Sequence, residues 1–102
     1  MLVLNEAEVE ELLDPAGCVE AMADAFRALA RNEVHQMLRS IIRPPGEESL
    51  IGLMPVHRAG ERPVYGLKTI CVVPSNAARG LDPHQGTVSL FDGETGQTIA
   101  VM

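Results

Sequence analysis

Tryptophan is missing from this chain, and its 102 residues include only one tyrosine and two phenylalanines. Hydrophobic residues nevertheless make up 46% of the sequence, so the core must be aliphatic, and a disordered chain is excluded by composition. Cysteine is nearly as scarce. Cys18 and Cys71 stand far apart in apolar settings, with no Cys-x-x-Cys, which excludes a disulfide framework and predicts packed, reduced thiols. His35, His57 and His84 lack metal-ligand spacing, so no metal site is expected. No basic cluster or aromatic-basic interleaving offsets the formal charge of −6, which argues against nucleic acid as a partner. Seven of the 14 acids fall within the first 24 residues and read as a solvated helix surface. There is no basic leader before the acidic "MLVLNEAEVEE", and no apolar run is long enough to span a bilayer. The expectation is a soluble, cytoplasmic protein without a membrane partner.

What is present reads as one small domain of α+β class. Leu2 to Leu4 form a short strand. Asn5 and Glu8 then have the spacing of a capping box, and Val9, Leu12 and Leu13 give the following helix an apolar side. Asp14-Pro15 restarts the pattern as N-cap and first helical residue. Val19, Met22, Phe26 and Leu29 recur at helical spacing, beside Cys18, Ala25 and Ala30, which predicts a helix over 15–32. Strands follow at 36–43, 49–57 and 63–73, then a loop over 76–86. A terminal hairpin over 87–102 has Gly93 and Gly96 available for positive φ. Helices first and consecutive strands after them predict helices packed on a mostly antiparallel or mixed sheet, ending in that hairpin.

Charges interrupt two of the apolar strands. In "YGLKTICVVPSN", alternation puts Tyr65, Leu67, Thr69, Cys71 and Val73 on one side and Val64, Gly66, Lys68, Ile70 and Val72 on the other. Neither side is clearly wet. Arg39 sits similarly in "MLRSII". Removing the partner of a buried charge costs about 3–5 kcal/mol, so such residues have partners. Asp82 and Asp92 are the candidates within the chain, and an anionic ligand is the alternative, with Arg39 presenting its fork to a carboxylate. The plainer reading has Lys68 bending its ammonium out to water. Met54-Pro55 marks an edge, a bulge or a strand end, because Pro55 has no N–H for a ladder. The turn "DGETG" lacks the strand–glycine–helix context of a phosphate cradle.

The segments "QMLRSIIRPP", "GLMPVH" and "YGLKTICVVPSNAARGLDPHQGTVSLFDGETGQTIAVM", with the opening "LNEAEVEELLDPAGCVEAMADAFRALARNEV", resemble the N-terminal part of the ornithine cyclodeaminase/mu-crystallin family. The resemblance covers essentially the whole chain and is most specific from Gly66 to Met102. It implies a subunit with an N-terminal substrate-binding and dimerisation domain and a C-terminal Rossmann domain that binds NAD or NADP. Members convert ornithine to proline and ammonia, or act as alanine dehydrogenases and ketimine reductases. Mu-crystallin also binds thyroid hormone and NADPH.

Carried over by the resemblance, Arg39 would grip the substrate carboxylate and Lys68 would stand beside the reacting carbon as the catalytic residue, also touching substrate. Met54 would line the pocket. Gln85, Gly86 and Thr87 would lie near the nicotinamide, with Thr87 the cofactor contact. Lys68 could then help move protons as an imine forms or hydrolyses. The family continues beyond this point into an Asp-Gly, an Arg-Thr-Ala-Ala segment and the Rossmann domain. Residues 1–102 are therefore expected to be an N-terminal substrate and dimerisation domain truncated at its C-terminal end. Such a fragment would bind no cofactor and lack activity by itself. The competing expectation is a non-enzymatic dimerising or small-ligand-binding module from a split or decayed gene. Both readings predict a homodimer.

Overall fold

Three nine-residue strands carry the architecture: β4 (Leu50–Arg58), β5 (Val64–Val72) and β6 (His84–Asp92). The computed structural model describes residues 1–102. Before these strands come β1 (Leu2–Val3), α1 (Glu6–Leu12), α2 (Pro15–Ala30), β2 (Val34–Gln36) and β3 (Ser40–Ile42); after them comes β7 (Thr98–Val101). The sheet order is β1-β7-β6-β5-β4-β2, with β3 also on β4. Every pairing is antiparallel except β1 with β7. This is the expected α+β fold with its closing hairpin.

Both helices begin where their caps dictate. Asn5 Oδ1 accepts the Glu8 N–H at 3.0 Å, and the Asn5 N–H donates to Glu8 Oε2 at 2.8 Å, so each side chain satisfies an amide that the helix leaves unpaired. Asp14 Oδ1 accepts the Gly17 N–H at 2.8 Å, and Pro15 opens α2. The helix ends through Asn32, whose φ of +58° is tolerated by its short polar side chain. The inward side of α2 differs from a simple reading of its apolar spacing. Ala28 is fully buried, and Cys18 and Ala25 are half-buried, whereas Val19, Met22 and Phe26 are 57–70% exposed. The helix packs beside β2 through its small side chains and turns its large ones outward. An ion pair ties it to the sheet, Arg58 Nη2 donating to Asp24 Oδ2 at 2.7 Å.

The strand expected over 36–43 is two strands. Gln36 pairs with Val56 and Ser40 with Leu53, so residues 37–39 oppose only Met54 and Pro55, one residue too many for a regular ladder. The bulge falls opposite the one residue of β4 that has no N–H to donate. Pro55 thus lies inside a strand, and its cost is absorbed by the short edge strands. The expected loop is also shorter. Pro74–Arg79 forms a 3-10 helix, and β6 already begins at His84. The C-terminal strand is no open edge either, since β7 is flanked by β6 and β1, and Ala100 is buried.

Two glycines are required by contact. A Cβ on Gly86 would collide with the Thr69 carbonyl oxygen, and one on Gly93 would lie 2.6 Å from the Pro63 backbone. Of the hairpin glycines only Gly96 has positive φ, at +72°; Gly93 serves close approach instead. Gly86→Ala should therefore lower stability by about 1–3 kcal/mol, the usual cost of overpacking, measured by urea unfolding; an unchanged midpoint would disprove the contact.

Three carboxylates are held below their ordinary values of 3.8 (Asp) and 4.5 (Glu). Asp92 is lowered by the Thr95 N–H, then by the Thr95 hydroxyl and the Glu94 N–H. Asp24 is lowered by its hydrogen bond and charge pairing with Arg58, and Glu33 by the Arg31 guanidinium. Lowered folded values mean that this stabilisation is complete above about pH 4.5 and is lost as pH falls through them. Urea midpoints should be flat from pH 6 to about 4.5 and then decline. Asp92→Asn should reduce the decline, and a decline identical in that variant would remove Asp92 as a cause.

Candidate functional site

The register of the three long strands sets one row across the sheet. Met54 pairs with Lys68, Lys68 with Val88, and Val88 exchanges backbone hydrogen bonds with Met102 at 2.7 and 2.9 Å. By alternation these four side chains share a face. Lys68 is the only charge in the row. It is solvent-exposed and has no hydrogen-bonded or ionic partner in the protein. The bland reading, a lysine with access to water, is correct as far as exposure goes. Its setting is not bland, because its ammonium rises from the middle of a sheet between Met54 and Val88 rather than from an edge.

Lys68 opens into a cleft of about 480 Å³. Ile70, Gly86 and Val88 form its floor on the same face, α1 supplies Val9 and Leu13 as one wall, and Met102 closes another side. The capping box positions that wall by fixing the start of α1. His84 and Gln85 border the far end. No Asp or Glu lines the cleft, so its electrostatics favour an anion.

The loop before β6 is built to hold that far end. Asn76, 8% exposed, donates from Nδ2 to the Asp82 carbonyl at 3.3 Å, and Gln85 Nε2 donates to the same oxygen at 3.1 Å. The Asp82 carboxylate accepts the His84 N–H at 2.7 Å. Asp82 is therefore occupied with its own loop, and Asp92 with the hairpin turn. The expectation that either carboxylate pairs with Lys68 or Arg39 is corrected by these bonds.

Arg39 lies in the bulge, exposed, immediately before Ser40. It is not a buried mid-strand charge, because the bulge frees it from the alternation that would have turned it toward apolar neighbours. It does not line the cleft. Across β4 its backbone stands two strand spacings from Lys68, roughly 10 Å, with Met54 on the strand between. Met54 is half-buried and also outside the cleft lining. Thr87 borders the cleft, but it pairs with Thr69 and by alternation its side chain belongs to the opposite face. A loop running to residue 86, as the glycine and proline content of this stretch predicts, hides His84. Beginning the strand at 84 would have put His84 on the face of Lys68.

The other face carries a second row. His35 stacks on its register partner His57, with ring centroids 6.1 Å apart and planes at 19°, and His57 meets Tyr65 at 4.6 Å. Leu53, Tyr65 and Ile42 on this side are exposed. No three metal-donor side chains come together anywhere in the chain, and Cys18 and Cys71 are free thiols. No helix is long and apolar enough to cross a membrane. No strand-to-helix connection here has the glycine-rich turn of a dinucleotide-binding motif. Such a motif places that turn between a strand and a helix N-terminus, and here β1 enters α1 through Leu4 and Asn5, while β5 enters the 3-10 helix through Val73.

Comparison with known proteins fits this geometry. The iminosuccinate reductase of Paracoccus denitrificans (strain Pd 1222) is 34% identical over 104 residues, covering 100% of this chain and 32% of that protein. Its crystal structure in complex with NAD+ superposes with a TM-score of 0.87 at 33% identity, covering 99% of this chain and 31% of the other. The Δ1-pyrroline-2-carboxylate reductase of Thermococcus litoralis, in complex with NADH and L-proline, matches with a TM-score of 0.89 at 27% identity (100% and 31% covered). An archaeal alanine dehydrogenase dimer with bound NAD matches at 0.88 and 29% (100% and 30% covered). The chain thus spans about a third of the length of the relatives it matches. The model of the ornithine cyclodeaminase/mu-crystallin family matches residues 1–102, and this chain belongs to that family.

Proposed function

We propose that residues 1–102 form the substrate-binding part of an NAD(P)-dependent enzyme acting on a small amino or imino acid. The chemistry would be reduction of an imine, oxidation of an amine, or cyclodeamination. The observation that carries this reading is Lys68, an unpaired cation in the middle of a sheet, opening into a cleft with apolar walls and no Asp or Glu side chain. A small carboxylate would meet the ammonium there with little competing charge, and charge-assisted hydrogen bonds are the strong ones. Lys68 is the catalytic candidate, beside the reacting carbon. Arg39, reaching over Met54 from the bulge, is the second substrate-binding cation. The nicotinamide would be supplied to this cleft by residues outside this sequence, with Thr87 at the rim as the contact nearest to it. The relatives named above, whose own substrates are small amino or imino acids, support the substrate class.

The test is carboxylate binding by the chain itself, followed by amide chemical shifts during titration with propionate. Lys68→Met should weaken binding about 10- to 100-fold, the equivalent of one charged hydrogen bond. Arg39→Met should weaken it less. Equal affinity in Lys68→Met and the unaltered chain would sink the reading.

We also propose that two copies associate through the face bearing Leu53, Tyr65 and Ile42, whose exposure would leave apolar side chains in water in a lone copy. Sedimentation velocity should give a dimer, and Tyr65→Lys should shift it to monomer. A monomer at high concentration would count against this arrangement.

A further inference from the structure

The cleft that holds Lys68 has a second polar end that the reading above leaves unused. His84 and Lys68 lie on one face of adjacent strands. Val88, the partner of Lys68, is four residues along β6 from His84, a backbone separation of roughly 13 Å. Between them the floor is Ile70, Val88 and the bare backbone of Gly86, where no side chain can be added because a Cβ would meet the Thr69 carbonyl oxygen. The cleft is therefore a trough with an apolar bed and one nitrogen group at each end. Lys68 and His84 are the only ionisable side chains lining it; α1 contributes only Val9 and Leu13, and Asp82 stands behind the imidazole.

His84 is held from its back. Asp82 Oδ1 accepts the His84 backbone N–H at 2.7 Å and lies 3.9 Å from Nδ1. The loop beneath is fastened by Asn76, Gln85 and the Val73 N–H, which donates to the Pro83 carbonyl at 2.8 Å. Nε2 has no partner in the protein, and the side chain is 63% exposed, free to lean along the trough. The backbone of His84 is fixed while its ring makes no hydrogen bond within the protein, which leaves a ring N–H available to an acceptor.

We propose that His84 is a specificity-determining residue, and that the cleft takes an amino or imino acid bearing a second carboxylate. Lys68 holds the carboxylate next to the reacting carbon, and a ring N–H of His84 holds the distal one. The short chain between them lies over Gly86. Asp82 is a positioning residue that orients the imidazole. This inference rests on the reading of the Lys68 end as a carboxylate site.

The experiment compares succinate with butyrate, probes of equal chain length, by amide-shift titration of the 102-residue chain at pH 6. The unaltered chain should bind succinate about tenfold more tightly than butyrate, the worth of one added charge-assisted hydrogen bond. His84→Gln should bring succinate down to the butyrate level without changing butyrate. His84→Lys should restore the preference, which separates loss of a cation from loss of fold. Asp82→Asn should lower the preference only in part. Equal binding of the two acids, or an undiminished preference in His84→Gln, overturns this proposal while leaving the Lys68 site standing if Lys68→Met still weakens butyrate binding. Binding of neither acid by the unaltered chain overturns both.

Discussion

The register of β4, β5 and β6 is the constraint on which the rest of the molecule depends. Nine consecutive pairs join β4 to β5 and nine join β5 to β6. Because side chains alternate, a slip of one residue would move Lys68 to the face of Tyr65 and bring Thr69 into the cleft. Side-chain hydrophobicity alone does not prevent such a slip, since both faces of β5 are largely apolar. What pins the register is contact at the glycines. Gly86 can sit only where a missing side chain lets β6 approach the Thr69 carbonyl, Gly66 is buried beside Val56, and Gly93 rests on Pro63. A shifted pairing would place a Cβ in at least one of those spaces.

The same ladder explains why a cation is tolerated in the centre of the sheet. A buried, unpaired ammonium would carry a desolvation cost of several kcal/mol. The structure avoids that cost by leaving the row open. The missing side chain at Gly86 and the set-back wall of α1 keep Lys68 in contact with solvent. An open cleft above a sheet is also what a small ligand needs, so the feature that makes the charge affordable is the one that makes it useful. Fold and site are coupled through the absence of side chains.

The helical layer follows a related logic. Ala28 and Ala25 lie on the inward side of α2, which passes the edge strand β2, while Val19, Met22 and Phe26 face outward. Apolar spacing of 3, 4 and 3 residues identifies a helix but does not say which stripe goes inward when two apolar stripes lie side by side. Here the small one does, and the exposed Asp24–Arg58 pair joins α2 to the end of β4.

The sequence by itself determined the local elements whose signals are short-range: the caps at Asn5 and Asp14, the helix opened by Pro15, the strand around Lys68 and the closing hairpin. Each rests on hydrogen bonds or steric limits within a few residues. It also marked Pro55 as an irregularity and Lys68 as a charge out of place, and its motifs carried the family. Only the tertiary structure decided what those residues meet. It turned Arg39 out of its strand, because three residues must oppose Met54 and Pro55. It placed His84 in β6 on the face of Lys68, because pairing with Val72 extends the strand back to residue 84. It assigned Asp82 and Asp92 to their own turns. These outcomes depend on register between segments far apart in the chain, which a pattern read along one strand does not contain.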